Sequence, residues 1–225
     1  MDKQEFANNF YRNEIIKLDN YGLYRFLDEQ VGVSGTGYFN AKFSGNLEVQ
    51  QIPLEYVGLL NFFRSNDIKR YLELGVGNGG SFFINSIFLQ KSVETIHCVD
   101  SLEYTNFGQT FDKINKKVEK LKEFFPDKNI NFFNITTDKF FETNREEYDC
   151  IFIDADHSYS GVIKDYENSL NYVRKGGWLI FHDIDSTSTG VCQAWNELKN
   201  KQTVVDTFSH PYIKTCGIGI MQVGI

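Results

Sequence analysis

Ionisable side chains crowd the end of one apolar run. In "YDCIFIDADHSY", Tyr148 to Tyr159, the buried-looking residues Cys150, Ile151, Phe152 and Ile153 give way at once to Asp154, Asp156 and His157. A second run, "GWLIFHDI", closes on His182 and Asp183. A carboxylate, an imidazole and a second carboxylate at neighbouring strand ends suit a divalent cation kept partly hydrated, with positions left for substrate oxygens. Asp154, His182 and Asp183 are therefore the candidate ligands.

A glycine loop supplies the other recognisable chemistry. "YLELGVGNGGSF" sets Glu73, Gly75, Gly77, Asn78, Gly79, Gly80 and Ser81 where a strand turns into a helix. Glycines let backbone approach a ligand at a helix N-terminus, whose free N–H groups favour negative or polar groups. Gly75, Gly77 and Gly80 satisfy the dinucleotide spacing G-x-G-x-x-G. Asp100, at the end of the next strand, with Ser101 beside it, suits ribose hydroxyls in either an NAD or an S-adenosylmethionine protein. Glu73 separates these readings: with Gly79 it makes E-x-G-x-G-x-G, which resembles the first motif of class I methyltransferases. A loop built for pyrophosphate has less use for a carboxylate beside it, since like charges repel.

The elements that must position these groups alternate along the chain. "KRYLELGV", "VETIHCVD", "NINFFNI", "YDCIFID" and "GWLIFHDI" read as strands. "GSFFINSIFLQ", the lysine-rich "DKINKKVEKLKEFF" and "YSGVIKDYENSLNYVRKGG" read as helices between them, the last ending at Gly176 and Gly177 with Arg174 in its final turn. Such βαβα order predicts an α/β fold with a mainly parallel sheet covered on both faces. A further helix, "GVCQAWNELKN", and two closing strands complete a three-layer, seven-stranded, Rossmann-like sheet with an antiparallel C-terminal strand. The expected division is an N-terminal helical and loop cap over 1–50 and a cofactor-binding domain over 51–225. The cap includes a long glycine- and serine-spotted loop, "VGVSGTGYFNAKFSGN". Open α/β sheets bind ligands outside the carboxyl ends of their strands, so Glu73, Asp100, Asp154, His182 and Asp183 should rim one crevice.

Bulk properties exclude other classes. The 225 residues fit one domain with a full core, and 41% hydrophobic residues suffice to fill it. A net charge of −7 argues against nucleic acid, which calls for a basic face. The lysines between Asp112 and Phe125 read as a solvated helix face. Single, scattered cysteines point to a reducing setting. No stretch has the ~18 to 20 apolar residues of a membrane span, and the polar N-terminus does not resemble a signal peptide. A cytoplasmic protein without a membrane partner is expected.

"FIDADHSYSGVIKDYENSLNYVRKGGWLIFHDI" resembles the second half of the metal-dependent O-methyltransferases, the group that includes catechol and caffeoyl-CoA methyltransferases. It is more similar still to the bacterial branch that methylates sugar hydroxyls. The resemblance runs from about Gln51 to Gly219. It implies S-adenosylmethionine held by Glu73, Gly75, Gly77, Asn78, Gly79, Ser81, Asp100 and Ser101, with Asp154 bordering the cofactor and Thr137 where the family contacts adenine. It implies a divalent metal such as magnesium on Asp154, His182 and Asp183, with His157 as general base. Asp156 could instead hold water or cofactor, and Asp185 could replace a ligand. The catechol enzymes carry Asp-Asn where this chain has His182-Asp183, and lysine where it has His157; both departures fit the sugar-modifying branch. The implied partner is a small-molecule acceptor, a sugar or nucleotide sugar. Homo-oligomerisation through the N-terminal segment is a further implication. Acceptor fit would fall to "STSTGV" and "VGVSGTGYF", with Trp195 as a possible wall.

Two rivals remain at this stage. An NAD-dependent oxidoreductase could use the same glycine loop but gives no reason for Asp154, His182 and Asp183 to converge. A catalytically silent methyltransferase fold need not retain a metal site. His157 could simply cap the following helix, and His97, inside "ETIHCVD", reads as a strand residue.

Overall fold

Apolar runs without polar alternation belong to strands buried on both faces, and helices must then cover both. The computed structural model, which describes residues 9–28, 49–89, 92–103, 108–212 and 214–224, has that arrangement. Its strands are β1 Arg70–Leu74, β2 Thr95–Val99, β3 Asn129–Phe133, β4 Tyr148–Ile153, β5 Val173–His182, β6 Thr203–Phe208 and β7 Ile218–Gln222. They form one seven-stranded sheet in the order β3-β2-β1-β4-β5-β7-β6. Only β7 runs against its neighbours, β5 and β6. The expected three-layer α/β class is the one observed.

The helices are α1 Asn20–Phe26, α2 Pro53–Ser65, α3 Gly80–Leu89, α4 Phe111–Phe124, α5 Thr137–Thr143, α6 Tyr159–Leu170 and α7 Gly190–Leu198. Side chains of α2, α3 and α4 pack with Cys98, Cys150, Phe152 and Ile180. Those of α5, α6 and α7 pack with Leu74, Ile151, Ile153 and Phe181 on the opposite face. The alternation within β4 is the two-residue strand period, with both faces dry. Every residue of α3 is buried, because α2 and α4 flank it. Ile15, Leu23, Phe26 and Leu27 of the N-terminal part join the first cluster. The glycine- and serine-spotted stretch over 31–46 lies outside the described residues. No helix among the described residues is long and apolar enough to cross a membrane.

Several details differ from expectation. Helix α6 stops at Leu170, and β5 begins at Val173, ahead of the glycine pair. The Tyr172 carbonyl accepts from Tyr148 N at 2.7 Å, which draws the chain into the sheet before another helical turn can form. Arg174 consequently lies in β5 and pairs with buried Asp149 at 2.7 Å. Short α5 was not anticipated; Thr136 caps it by accepting from Lys139 N at 3.3 Å. Trp195 is core and no acceptor wall: it is 4% exposed and packs on Phe181. His97 is a strand residue as expected, its Nδ1 2.8 Å from the Tyr148 hydroxyl.

Strand register decides where the chemistry lies. Val99, Leu74, Ile153 and Phe181 are aligned across β2, β1, β4 and β5. The next residue on each strand is therefore Asp100, Gly75, Asp154 and His182, one row along the sheet's carboxyl edge. Gly75 N donates to Val99 O, and Asp154 N to Leu74 O, both at 2.8 Å. Gly75 has φ +76, and a Cβ there would collide with the Asp154 carbonyl and Ala155 Cα. Backbone is a neighbour that cannot swing aside. Gly75→Ala is expected to destabilise the fold by about 2 kcal/mol or more through the combined strain and overlap, measured by denaturant unfolding.

Candidate active site

Glu73 is wholly buried beneath the glycine loop. Its Oε1 accepts from Ser81 Oγ at 2.5 Å. Its Oε2 accepts from the Tyr71 hydroxyl at 2.6 Å and from Asn85 Nδ2 at 3.1 Å. The Tyr56 hydroxyl then donates to Asn85 Oδ1 at 2.8 Å. One carboxylate thus ties β1 to the first two turns of α3, fixing the angle at which the loop leaves the strand. Burial raises its pKa to about 7 against the pull of its three donors. Tyr71 and Asn85 were missed by sequence reading. Their signal was periodic: Tyr71 shares a strand face with Glu73, and Asn85 stands one helical turn beyond Ser81.

Above this network, Asp100 Oδ2 accepts from Val76 N at 3.0 Å and Gly77 N at 3.1 Å, while Oδ1 accepts from Leu102 N at 2.8 Å. The carboxylate therefore organises the loop at the sheet's carboxyl edge. Gly77 has φ +51, yet a Cβ there would meet nothing nearer than 4.0 Å. Its backbone demands glycine while its outer side leaves room for a ligand. Lys117 of α4 reaches over and donates to the Asn78 carbonyl at 2.8 Å, so this lysine departs from the expected purely solvated face. Gly79 N donates to Val76 O at 2.6 Å, completing the turn into α3.

The acid and histidine groups meet as the strand register requires. His182 Nδ1 lies 3.1 Å from Asp154 Oδ1 and 3.3 Å from Asp183 Oδ1. His157 stands between the same two acids, with Nε2 3.2 Å from Asp154 Oδ1 and Nδ1 3.2 Å from Asp183 Oδ2. Burial alone would push the Asp154 carboxyl up, but the charge of His182 and hydrogen bonds from both rings hold it below the usual carboxylate range. Burial would likewise lower His182, and the two carboxylates instead raise it well above an ordinary histidine. Asp183 has φ +62, a left-handed conformation uncommon outside glycine and stored here at a turn. Ligand atoms of Asp154, His157 and Asp183 fall within 4.8 Å of one another, a spacing that fits a divalent cation. His157 is thus placed as closely to the acids as His182 is.

His157 owes its position to α7. Its carbonyl accepts from Gly190 N at 2.8 Å, and a Cβ at Gly190 would overlap the Tyr159 backbone. Other candidates lie farther from this cluster or are otherwise engaged. Asp156 accepts from Ser158 N at 2.8 Å and so shapes the start of α6. Thr137 turns to Asp165 of α6. Ser101 accepts from Glu103 N at 3.4 Å. Asp185 lies 3.6 Å from Lys214 Nζ.

A family model described as a methyltransferase domain matches residues 72–184. An uncharacterized protein of Acanthamoeba polyphaga mimivirus is 32% identical over 133 residues, 56% of this chain and 55% of that protein. The chain thus spans about half the length of the curated relative it matches. Among solved structures, the O-methyltransferase TomG from Streptomyces achromogenes, involved in tomaymycin synthesis and solved with S-adenosylmethionine, is similar over 100% of both chains, at TM-score 0.60 and 14% identity. An O-methyltransferase from Bacillus cereus, solved with S-adenosylhomocysteine, covers 77% of this chain and 82% of its own at TM-score 0.56 and 17% identity. An rRNA methylase from Streptococcus thermophilus covers 76% and 97% at TM-score 0.57 and 12% identity. At these identities the likeness establishes the shared fold.

Glu73 also gives a pH signature. Its folded pKa of about 7 stands above the ordinary 4.5, so its contribution to stability is full below pH 4.5 and is lost as pH rises through 7. Glu73→Gln removes that loss, and its amide can face Ser81, whose hydroxyl is free to turn and accept. The stability of the variant relative to wild type is expected to rise between pH 4.5 and 7 by at most about 3 kcal/mol and then level, as read by urea unfolding across that range.

Proposed function

Because the chain belongs to the methyltransferase-domain family, we propose that it is an S-adenosylmethionine-dependent O-methyltransferase that uses a divalent cation, magnesium by preference, and methylates a hydroxyl of a sugar or sugar-linked small molecule. The observation that carries this reading is the meeting of Asp154, His157, His182 and Asp183 at the sheet edge where Asp154 shares its register row with Gly75. Neither an oxidoreductase nor a silent scaffold calls for that meeting. The acceptor class rests on the His182-Asp183 pair and His157, which follow the sugar-modifying branch.

S-adenosylmethionine, when bound, supplies a methyl group already activated by its sulfonium. What the protein must add is alignment and removal of a proton. Glu73, through Ser81 and Asn85, sets the course of the loop on which the cofactor would rest. The lone pairs of Asp100 left by Val76, Gly77 and Leu102 would serve ribose hydroxyls. Asp154, Asp183 and His182 are the residues to hold the cation, which would lower the pKa of a bound hydroxyl. His157 takes the proton. Both its nitrogens face Asp154 and Asp183, and the hydrogen bond to Asp154 with the charge of the two acids raises its pKa above the ordinary histidine value although burial opposes them. The net charge of −7 favours a small neutral or cation-paired acceptor over RNA.

S-adenosylhomocysteine at a hundredfold excess over its Kd is expected to raise the melting temperature by about 5 to 10 °C, with no shift from NADH. The reverse pattern would overturn the cofactor assignment. With labelled S-adenosylmethionine and a panel of sugars and nucleotide sugars, transfer should require a divalent cation and stop on chelation. His157→Ala should keep the thermal shift and lose about 100- to 10,000-fold in kcat; unchanged kcat would remove His157 from the role of base.

A further inference from the structure

Behind the first acid pair stands a thiol that the proposed reaction does not use. The turn after β5 is laced to the segment before β7: Asp185 N donates to Cys216 O at 2.7 Å, and Ile184 N to Gly217 O at 3.3 Å. Buried Glu55 of α2 fixes the same segment, its carboxylate accepting from His210 N at 2.7 Å and Gly217 N at 2.9 Å. Cys216 is thereby held beside His182, at 4% exposure. One ligand atom from each of His182, Asp183 and Cys216 lies within 4.8 Å of the others.

One buried atom in this group, His182 Nε2, has no strong hydrogen-bond partner. His182 engages Asp154 and Asp183 through Nδ1, and its buried Nε2 is left with no partner stronger than the neighbouring Cys216 thiol. His182 and Asp183 are 5% and 3% exposed, so water does not make up the difference at the surface. A ring nitrogen so weakly partnered at such depth is costly.

We infer that His182, Asp183 and Cys216 form a second cation position, selective for a borderline-soft divalent ion of the zinc class and sharing His182 and Asp183 with the harder position that Asp154 completes. An imidazole, a carboxylate and a thiolate match tetrahedral zinc and leave one position open. Ligands about 2.0 to 2.3 Å from a tetrahedral ion stand roughly 3.3 to 3.8 Å apart, so the present spacing can close by side-chain rotation. Cys216 gives up its proton to solvent as the ion enters. The inference extends the metal-dependent reading, because His182 and Asp183 belong to both positions, but does not require methyl transfer.

Cobalt(II) is the spectroscopic stand-in, added to the reduced full-length chain. One equivalent should produce a thiolate-to-cobalt charge-transfer band in the near ultraviolet, which zinc displaces and excess magnesium does not. Cys216→Ser should lose the band and at least tenfold in cobalt affinity, while Cys192→Ser, an exchange at a partly exposed thiol, should keep both. A wild-type spectrum with oxygen and nitrogen ligation only, or a band that survives in Cys216→Ser, would overturn the assignment. The wild-type spectrum decides even if Cys216→Ser folds poorly. A thermal shift with S-adenosylhomocysteine on the same preparation separates the two claims. Cofactor binding without the band removes the soft site alone; the band without cofactor binding removes the methyltransferase reading alone.

Discussion

The crevice depends on a contact that leaves no room for a side chain. Gly75 meets the backbone of Asp154 and Ala155 so closely that a single methyl group would part them. This approach brings the turn after β1 against the end of β4. A loop suited to a cofactor and a carboxylate suited to a cation therefore become neighbours. Parallel register does the rest, since Asp100 and His182 occupy the same row on the flanking strands.

Around that contact, buried charge is used in two ways. Glu73, Asp149 and Glu55 are carboxylates 2% exposed or less, and each is satisfied mainly to hold chain segments together. Asp149 accepts from Lys69 N and Arg70 N at 2.6 and 2.9 Å and pins the start of β1. Glu55 pins the segment before β7. Asp154 and Asp183 differ because their partners are histidines, which can lose a proton and turn to a cation instead. Breaking a buried carboxylate from its donors is costly. The first set is accordingly scaffold, and the second can exchange partners.

Much of this was legible in the chain. Continuous apolar runs alternating with amphipathic ones specified the parallel sheet, and the polar endings of β2, β4 and β5 located the edge where the acids and histidines gather. Boundaries were less legible where tertiary hydrogen bonds override local pattern. The "NYVRKGG" stretch carries helical spacing, yet Tyr172 is claimed by β4. Short α5 buries only Phe140 and Phe141, too little for a periodic signal. Groups recruited from far along the chain were hidden: Lys117 over the loop, Tyr56 beneath it, and Cys216 beside His182. Their positions depend on helix packing and on the C-terminal strand order, neither of which spacing along one sequence reveals.

One edge of the sheet is proposed to hold both cofactor and cation. The most direct test is a crystal structure of the complex with S-adenosylhomocysteine and manganese, with anomalous scattering used to place the ion. Ribose hydroxyls at Asp100 and an anomalous peak between the carboxylates of Asp154 and Asp183 are expected. Cofactor bound elsewhere, or manganese absent from those two acids at saturating concentration, would contradict the proposal.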